Sequence, residues 1–136
     1  MTRLLLSVGV CFALTNVVSA RQVDPRRIVN DLKQLGLAYH NYNDANKKAP
    51  AKGADLGPFI ENDKRLLGLL ENKDIVFLYG VNLIDIINGA GTSNTVLAYE
   101  KDAPTKGGAV LMADGSVKKI TVDEFKKATL AKPKQQ

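Results

Sequence analysis

The sequence predicts an α+β fold, a long N-terminal helix packed on a small antiparallel β-sheet, with short helices that include a C-terminal one. Three observations carry this expectation. Apolar residues recur at helical spacing from Ile28 through Leu32, Leu35 and Tyr39 to Tyr42. Four runs rich in Val, Ile, Leu and Tyr, at 75–79, 95–100, 109–113 and 116–120, all fall in the second half of the chain. Asp114-Gly115 stands between the last two runs and has the chemistry of a tight hairpin turn. A helical segment followed by clustered strands is the order of an α+β domain, not of alternating β and α units.

The first helix opens at Asp24-Pro25. Asp suits the N-cap, and Pro at the first helical position loses no hydrogen bond. The spacings of four, three, four and three make one apolar seam, flanked by Val29, Gly36 and Ala38. Lys47-Lys48 suits the negative end of the helix dipole, and Pro50 prevents continuation. A helix of roughly twenty residues is about 30 Å long, a spine along which the rest of a small domain can pack.

Residues 49–57, APAKGADLG, read as a loop. Asn62-Asp63 then offers a cap for a shorter helix, KRLLGLLEN, with Leu66, Leu67, Leu69 and Leu70 as its apolar residues. IVFLY at 75–79 has the uninterrupted apolar character of a strand covered on both faces. The segment GVNLIDIINGAG, 80–91, is ambiguous; Asn82 is placed to cap a short helical turn that Gly89 ends. TVLAYE and AVLMA are two further strands. A two-residue Asp114-Gly115 turn, with positive φ at both positions, would return SVKKI antiparallel, and its consecutive lysines suit an edge strand. Thr121 and Glu124 form a capping box with Ile120 and Phe125 as its hydrophobic staple. A closing helix is expected through about Ala131, then a disordered polar tail over 132–136.

A chain of 136 residues, 45% apolar and 24% charged, has room for one domain with one modest core and is not compositionally disordered. With no Trp and only four Phe and four Tyr, that core must rely on Leu, Ile and Val. Residues 1–20 read as a secretory signal: a short basic start, an apolar run from Leu4 to Val18, and a small-x-small ending at Ala20. The run is interrupted by Asn16 and too short for a membrane span. The mature protein would then be a single domain over 21–131, secreted or periplasmic, with no stable membrane span. A lipoprotein reading with Cys11 as the lipid-bearing residue is disfavoured because Val10 stands where a small residue is wanted. Cys11 is the only cysteine and would leave with the signal, so disulfide, thiol-nucleophile and thiolate-metal chemistry are not expected. Losing Arg3 as well lowers the formal net charge from +5 to +4. These charges are scattered rather than arranged in basic stripes with stacking aromatics, so nucleic acid is not an expected partner.

Three segments, LKQLGLAYHNYNDANKKAP, GTSNTVLAYEKDAP and GGAVLMADGSVKKIT, occur in that order and span most of residues 30–121. Together they resemble a bacterial family of exported, pilin-like, prepilin-type proteins known only as a domain of unknown function. In that family a hydrophobic N-terminal helix runs into an N-L-K-Q-I-G-L-A-x-H-N-Y-like stretch. An S-N-T-hydrophobic segment and a hydrophobic-x-A-D-G-S-V hairpin follow. The resemblance implies a type IV pilin or pseudopilin fold, related to that of the major pseudopilin of type II secretion. One departure stands out. Typical members carry a prepilin cleavage site and an apolar helix of about twenty residues, enough to cross a membrane. Here RQVDPRRIVNDLK is charged and follows an ordinary signal, which implies a soluble relative exported by the general route.

The expected function is therefore a non-enzymatic exported domain that acts by binding or assembly, with other pilin-like or envelope proteins as partners. Its interaction surface is expected along Ile28, Leu32, Leu35, Tyr39 and Tyr42 and at the strand edges, with Ile28 and Leu32 reaching beyond the sheet as an apolar patch. His40, the only histidine, has Asp44 one turn later on the same helix face. That pair suggests an oriented general base or half a metal site. With no second histidine and no recognisable nucleophile, a histidine on the spine helix is the simpler reading. Glu100, Asp102 and Asp114 are the candidate metal ligands. Their loop EKDAPTKGG loosely resembles the calcium-holding loop of the major pseudopilins, and oxygen ligands on flexible loops suit calcium, although Lys101 and Lys106 oppose a cation. Two alternatives stand beside the leading one: a small secreted hydrolase using His40 with Asp102 or Asp114, and a calcium- or polysaccharide-binding surface module using the positive charge. The glycines of GAGTSN and TKGG lack the spacing of a phosphate loop and read as turns.

Overall fold

The computed structural model describes residues 24–134; the expected signal and its cleavage point lie outside them. The spine helix α1 spans Pro25–Asn46. The Asp24 carboxylate accepts the Arg26 N–H at 2.9 Å, and Pro25 takes the first helical position. At the other end Lys47 turns left-handed, φ 53°, and its N–H donates to the Asn43 carbonyl at 2.8 Å. Among the described residues no helix is long and apolar enough to cross a membrane.

After α1 come a 3-10 helix over Gly53–Ile60, helix α2 over Lys64–Glu71, strand β1 over Ile75–Phe77 and helix α3 over Leu83–Asn88. Strand β2 covers Thr95–Glu100, the single turn α4 covers Ala103–Lys106, and strands β3 and β4 cover Gly108–Met112 and Val117–Ile120. Helix α5, Val122–Lys127, and strand β5, Thr129–Leu130, finish the domain. Strands β1 to β4 form an antiparallel meander in chain order. Strand β5 adds in parallel beside β2, at Thr95 and Val96, where β1 no longer covers that edge.

Four local expectations are corrected. Residues expected as a loop over 49–57 include the start of the 3-10 helix. The Asp55 carboxylate collects the N–H groups of Ala51 and Lys52 at 2.9 and 3.2 Å, and Leu56 and Ile60 are buried beneath. The loop between β2 and β3 contains the turn α4. The hairpin at Asp114 is not a two-residue turn: only Gly115 has positive φ, at 88°. Met112 accepts the Gly115 N–H and donates its own to Ser116, giving a three-residue connection with glycine at the left-handed position. The closing helix stops at Lys127, because the following residues are drawn out to pair with β2, where the Ala131 N–H donates to the Val96 carbonyl at 2.8 Å. Residues 132–134 continue past Gly80, whose carbonyl accepts the Lys134 N–H at 3.4 Å.

The sheet separates two apolar clusters. On one face α1, α2 and the 3-10 helix cover Phe77, Leu97, Ala109, Leu111 and Ala113. On the other, α5 and α4 cover Val96, Val110 and Met112 with Phe125 and Ala103. Leu97 is the extra residue of a β-bulge, so that Val96 pairs with Met112 on one face and Ala98 with Leu111 on the other. Helix α1 approaches β3 at Gly36, where a Cβ would stand 2.8 Å from a methyl of Leu111. Glycine at this point of the spine sets the distance between helix and sheet.

Candidate functional site

The seam of α1 is internal. Ile28, Leu32, Leu35 and Tyr39 are all buried in the main core, and half-buried Tyr42 packs edge-on against Phe59 with ring centres 5.7 Å apart. Ile28 and Leu32 do not extend past the rest of the domain as an apolar patch. Helix α2, which does not belong to the sheet, lies over that end of the spine, with Arg65 on Asp31, and the 3-10 helix packs further along it at Tyr42. The Tyr39 hydroxyl donates to the Val81 carbonyl at 2.8 Å, and burial pushes its pKa up to about 12.

One turn of this helix faces the β3–β4 hairpin through His40. Its Nε2 lies 2.9 Å from the Ala113 carbonyl. A carbonyl only accepts, so Nε2 carries the proton and donates. The ring also meets Tyr39 edge-on at 5.7 Å. His40 thereby clamps the hairpin to the spine. Asp114, next along the chain, turns its carboxylate back to the Ser116 N–H at 2.9 Å and hydroxyl at 2.6 Å, and the hydroxyl bond chiefly holds its pKa below the usual carboxylate value.

Glu100 and Asp102 sit at the opposite end of the sheet. The Glu100 carboxylate accepts the Ala109 N–H at the start of β3, whereas Asp114 follows the end of β3. Along extended chain that separation is roughly 15 Å. The three carboxylates are therefore not one calcium site, and His40 cannot form a relay with Asp102. The antiparallel pairing of β2 and β3 causes this, since it puts their connecting loop and the next hairpin at opposite ends. One Glu100 oxygen is engaged by the Ala109 N–H, and Lys106 lies 3.8 Å from Asp102. Among the described residues no three acidic, histidine or cysteine side chains are close enough to share a metal ion.

Glu100 and Asp102 instead line a cleft of about 630 Å³ between α2 and the end of β2, together with Arg65, Gly68, Asn72 and Asp74. Two of its cations are held in ion pairs. Arg65 donates both guanidinium nitrogens, each at 2.7 Å, to the two oxygens of Asp31, a carboxylate only 2% exposed. This fork holds the Arg65 pKa above its ordinary value. Lys101 reaches Asp74 at 3.0 Å, which likewise raises the lysine's pKa. Sequence reasoning missed the Asp31–Arg65 pair, although a signal existed. Asp31 stands three residues after Ile28 and four before Leu35, on the apolar seam itself, and a carboxylate there requires a partner.

No protein-family model, curated protein or solved structure matches this chain.

Proposed function

We propose that the chain is an exported, non-enzymatic pilin-like module that works by binding or assembly at the cell envelope or outside it. The observation that supports this reading is the layering of α1 across an antiparallel meander, in the order in which the resembling segments occur. The hairpin in GGAVLMADGSVKKIT meets the histidine of LKQLGLAYHNY through the His40–Ala113 bond, so two of those segments form one structural unit. The first turn of α1 carries Arg26 and Arg27 and is exposed. The buried seam belongs to the domain's own core, and partners would have to engage other surfaces.

Affinity purification of the tagged protein, separately from envelope and medium, followed by mass spectrometry of what accompanies it, tests the reading. Recovery from the envelope with pilin-like or secretion-machinery proteins is expected. Recovery from the cell interior, or alone from the medium, would overturn assembly as its mode of action.

A further inference from the structure

We infer that α3, with the lysines beside it, is a docking surface for an anionic lipid bilayer. Ile84 and Ile87 are 63% and 61% exposed. Three residues apart, they lie on one side of α3 while Ile86 packs into the core. Most exposed apolar side chains are isolated and need no explanation. Here Ile84, with Ile87 one turn further along α3, borders a shallow groove of about 480 Å³ lined also by Leu83 and Ala49 and by three cations, Lys47, Lys48 and Lys134. No acidic residue lines it. Among the described residues none of these lysines has a carboxylate within ion-pair distance; the three ion pairs found involve Arg65, Lys101 and Lys106. The nearest acids in sequence, Asp44 and Asp85, are exposed and outside the groove lining.

Three separate stretches of chain converge to make this surface, and each is fixed. Lys47 ends α1 in its left-handed cap. Asn82 caps α3 by accepting the Ile84 N–H at 2.9 Å, and the preceding residue, Val81, is held by Tyr39. Lys134 is brought in by its backbone bond to Gly80. Two projecting aliphatic side chains on one helix face, with three flexible cations beside the first of them, are the chemistry of an interfacial anchor. The isoleucines enter the headgroup–acyl boundary, and lysine stems lie along it with their ammonium groups at the phosphates. Neither element suffices alone, because weak apolar insertion and weak electrostatic attraction must add. Projecting isoleucines favour a bilayer over a folded acidic partner, which would need a matching cavity. The surface would act in any compartment that offers an anionic bilayer.

The test is vesicle co-sedimentation of the protein as recovered from cells, its N-terminus established by intact mass. Vesicles of equal parts phosphatidylglycerol and phosphatidylcholine are compared with phosphatidylcholine alone. The run from Leu4 to Val18, where retained, would partition into either vesicle, so the readout is the difference between them. Each lysine brought to an anionic surface is worth roughly fivefold in affinity. Lys48→Glu with Lys134→Glu and Lys47→Asn, asparagine being tolerant of the left-handed cap, should lower binding to anionic vesicles about a hundredfold or more and remove the preference. Ile84→Asn with Ile87→Asn, lysines intact, should weaken it about tenfold. Circular dichroism of each variant verifies folding. Equal binding to both vesicles, or unchanged binding of either variant, would overturn the proposal. So would capture of an acidic polypeptide without vesicle binding.

Discussion

Helices α1 and α3 are both rich in aliphatic residues, and they treat them in opposite ways. Helix α1 hides Ile28, Leu32, Leu35 and Tyr39 in the main core, even buries a carboxylate among them, and leaves Leu37 as its one exposed large apolar side chain. Helix α3 hides Ile86 and displays Ile84 and Ile87. Length and position explain the contrast. A helix of 22 residues crossing the sheet is covered by α2 and the 3-10 helix on the flank that the sheet does not reach. A six-residue helix on the connection between β1 and β2 has one side against the domain and, among the described residues, nothing over Ile84 and Ile87 on the other. The apolar pattern of α1 therefore reports stability, and that of α3 reports a surface.

The sharpest way to break this comparison is at the centre of α1. Leu35→Ala should destabilise the domain by about 3 kcal/mol, within the usual range for a fully buried leucine, as read by chemical denaturation. A loss below about 1 kcal/mol would mean that the spine is not the core. The Asp31–Arg65 fork comes next and should be asymmetric. Arg65→Met leaves a buried carboxylate without its partner and should lose roughly 3 kcal/mol. Asp31→Leu should lose less, because the Arg65 side chain, 38% exposed, can turn to water. Equal losses from the two changes would show that the carboxylate also has access to solvent.

The legible parts of the fold were those in which local chemistry and tertiary packing agree. Asp24-Pro25, Asp63, Asn82 and the Thr121–Glu124 box all cap the helices whose starts they marked, because a cap acts within one turn of chain. What failed depended on distant partners. Thr129-Leu130 continues a helical pattern locally but finds an open strand edge on β2. Asp114-Gly115 has the chemistry of a two-residue turn, yet Asp114 keeps negative φ, with its carboxylate on Ser116. The grouping of Glu100, Asp102 and Asp114 failed for the same reason on a larger scale, since nearness in sequence across a strand becomes separation across the sheet. The cations of the α3 groove, Lys47 and Lys48 on one side and Lys134 on the other, are far apart in the chain and had no sequence signature as a group.

Tyr39 refines the comparison at a smaller scale. Tyr39→Phe leaves the Val81 carbonyl without its donor and should lose about 1 kcal/mol. The hydroxyl also gives the spine a signature in alkali. The pKa values of Tyr39 and Tyr79 are raised from 10.0 to about 12, by burial in both cases and for Tyr79 also by the nearby Asp55 carboxylate. A raised folded pKa favours the protonated, folded state. That contribution is complete below pH 10 and is lost as pH climbs from 10 through about 12. Ultraviolet titration should therefore show two of the four tyrosines ionising near pH 12, together with unfolding. Ionisation of all four near pH 10 in the folded protein would contradict the burial of the α1 seam.

The smallest expected effect is the one that separates the two helices. Ile84→Asn or Ile87→Asn should change stability by no more than about 0.5 kcal/mol. A side chain more than three-fifths exposed gains little by folding, and its replacement by a hydrated one returns little. The same substitution at Leu32 would place an amide in the core and prevent stable folding. If Ile84→Asn instead cost more than 1 kcal/mol in denaturation, α3 would be covered by something in solution, for example a second copy of the chain, and its melting temperature would then rise with protein concentration. A near-zero cost with no such concentration dependence leaves the isoleucines free for a partner, which is the condition that bilayer docking requires.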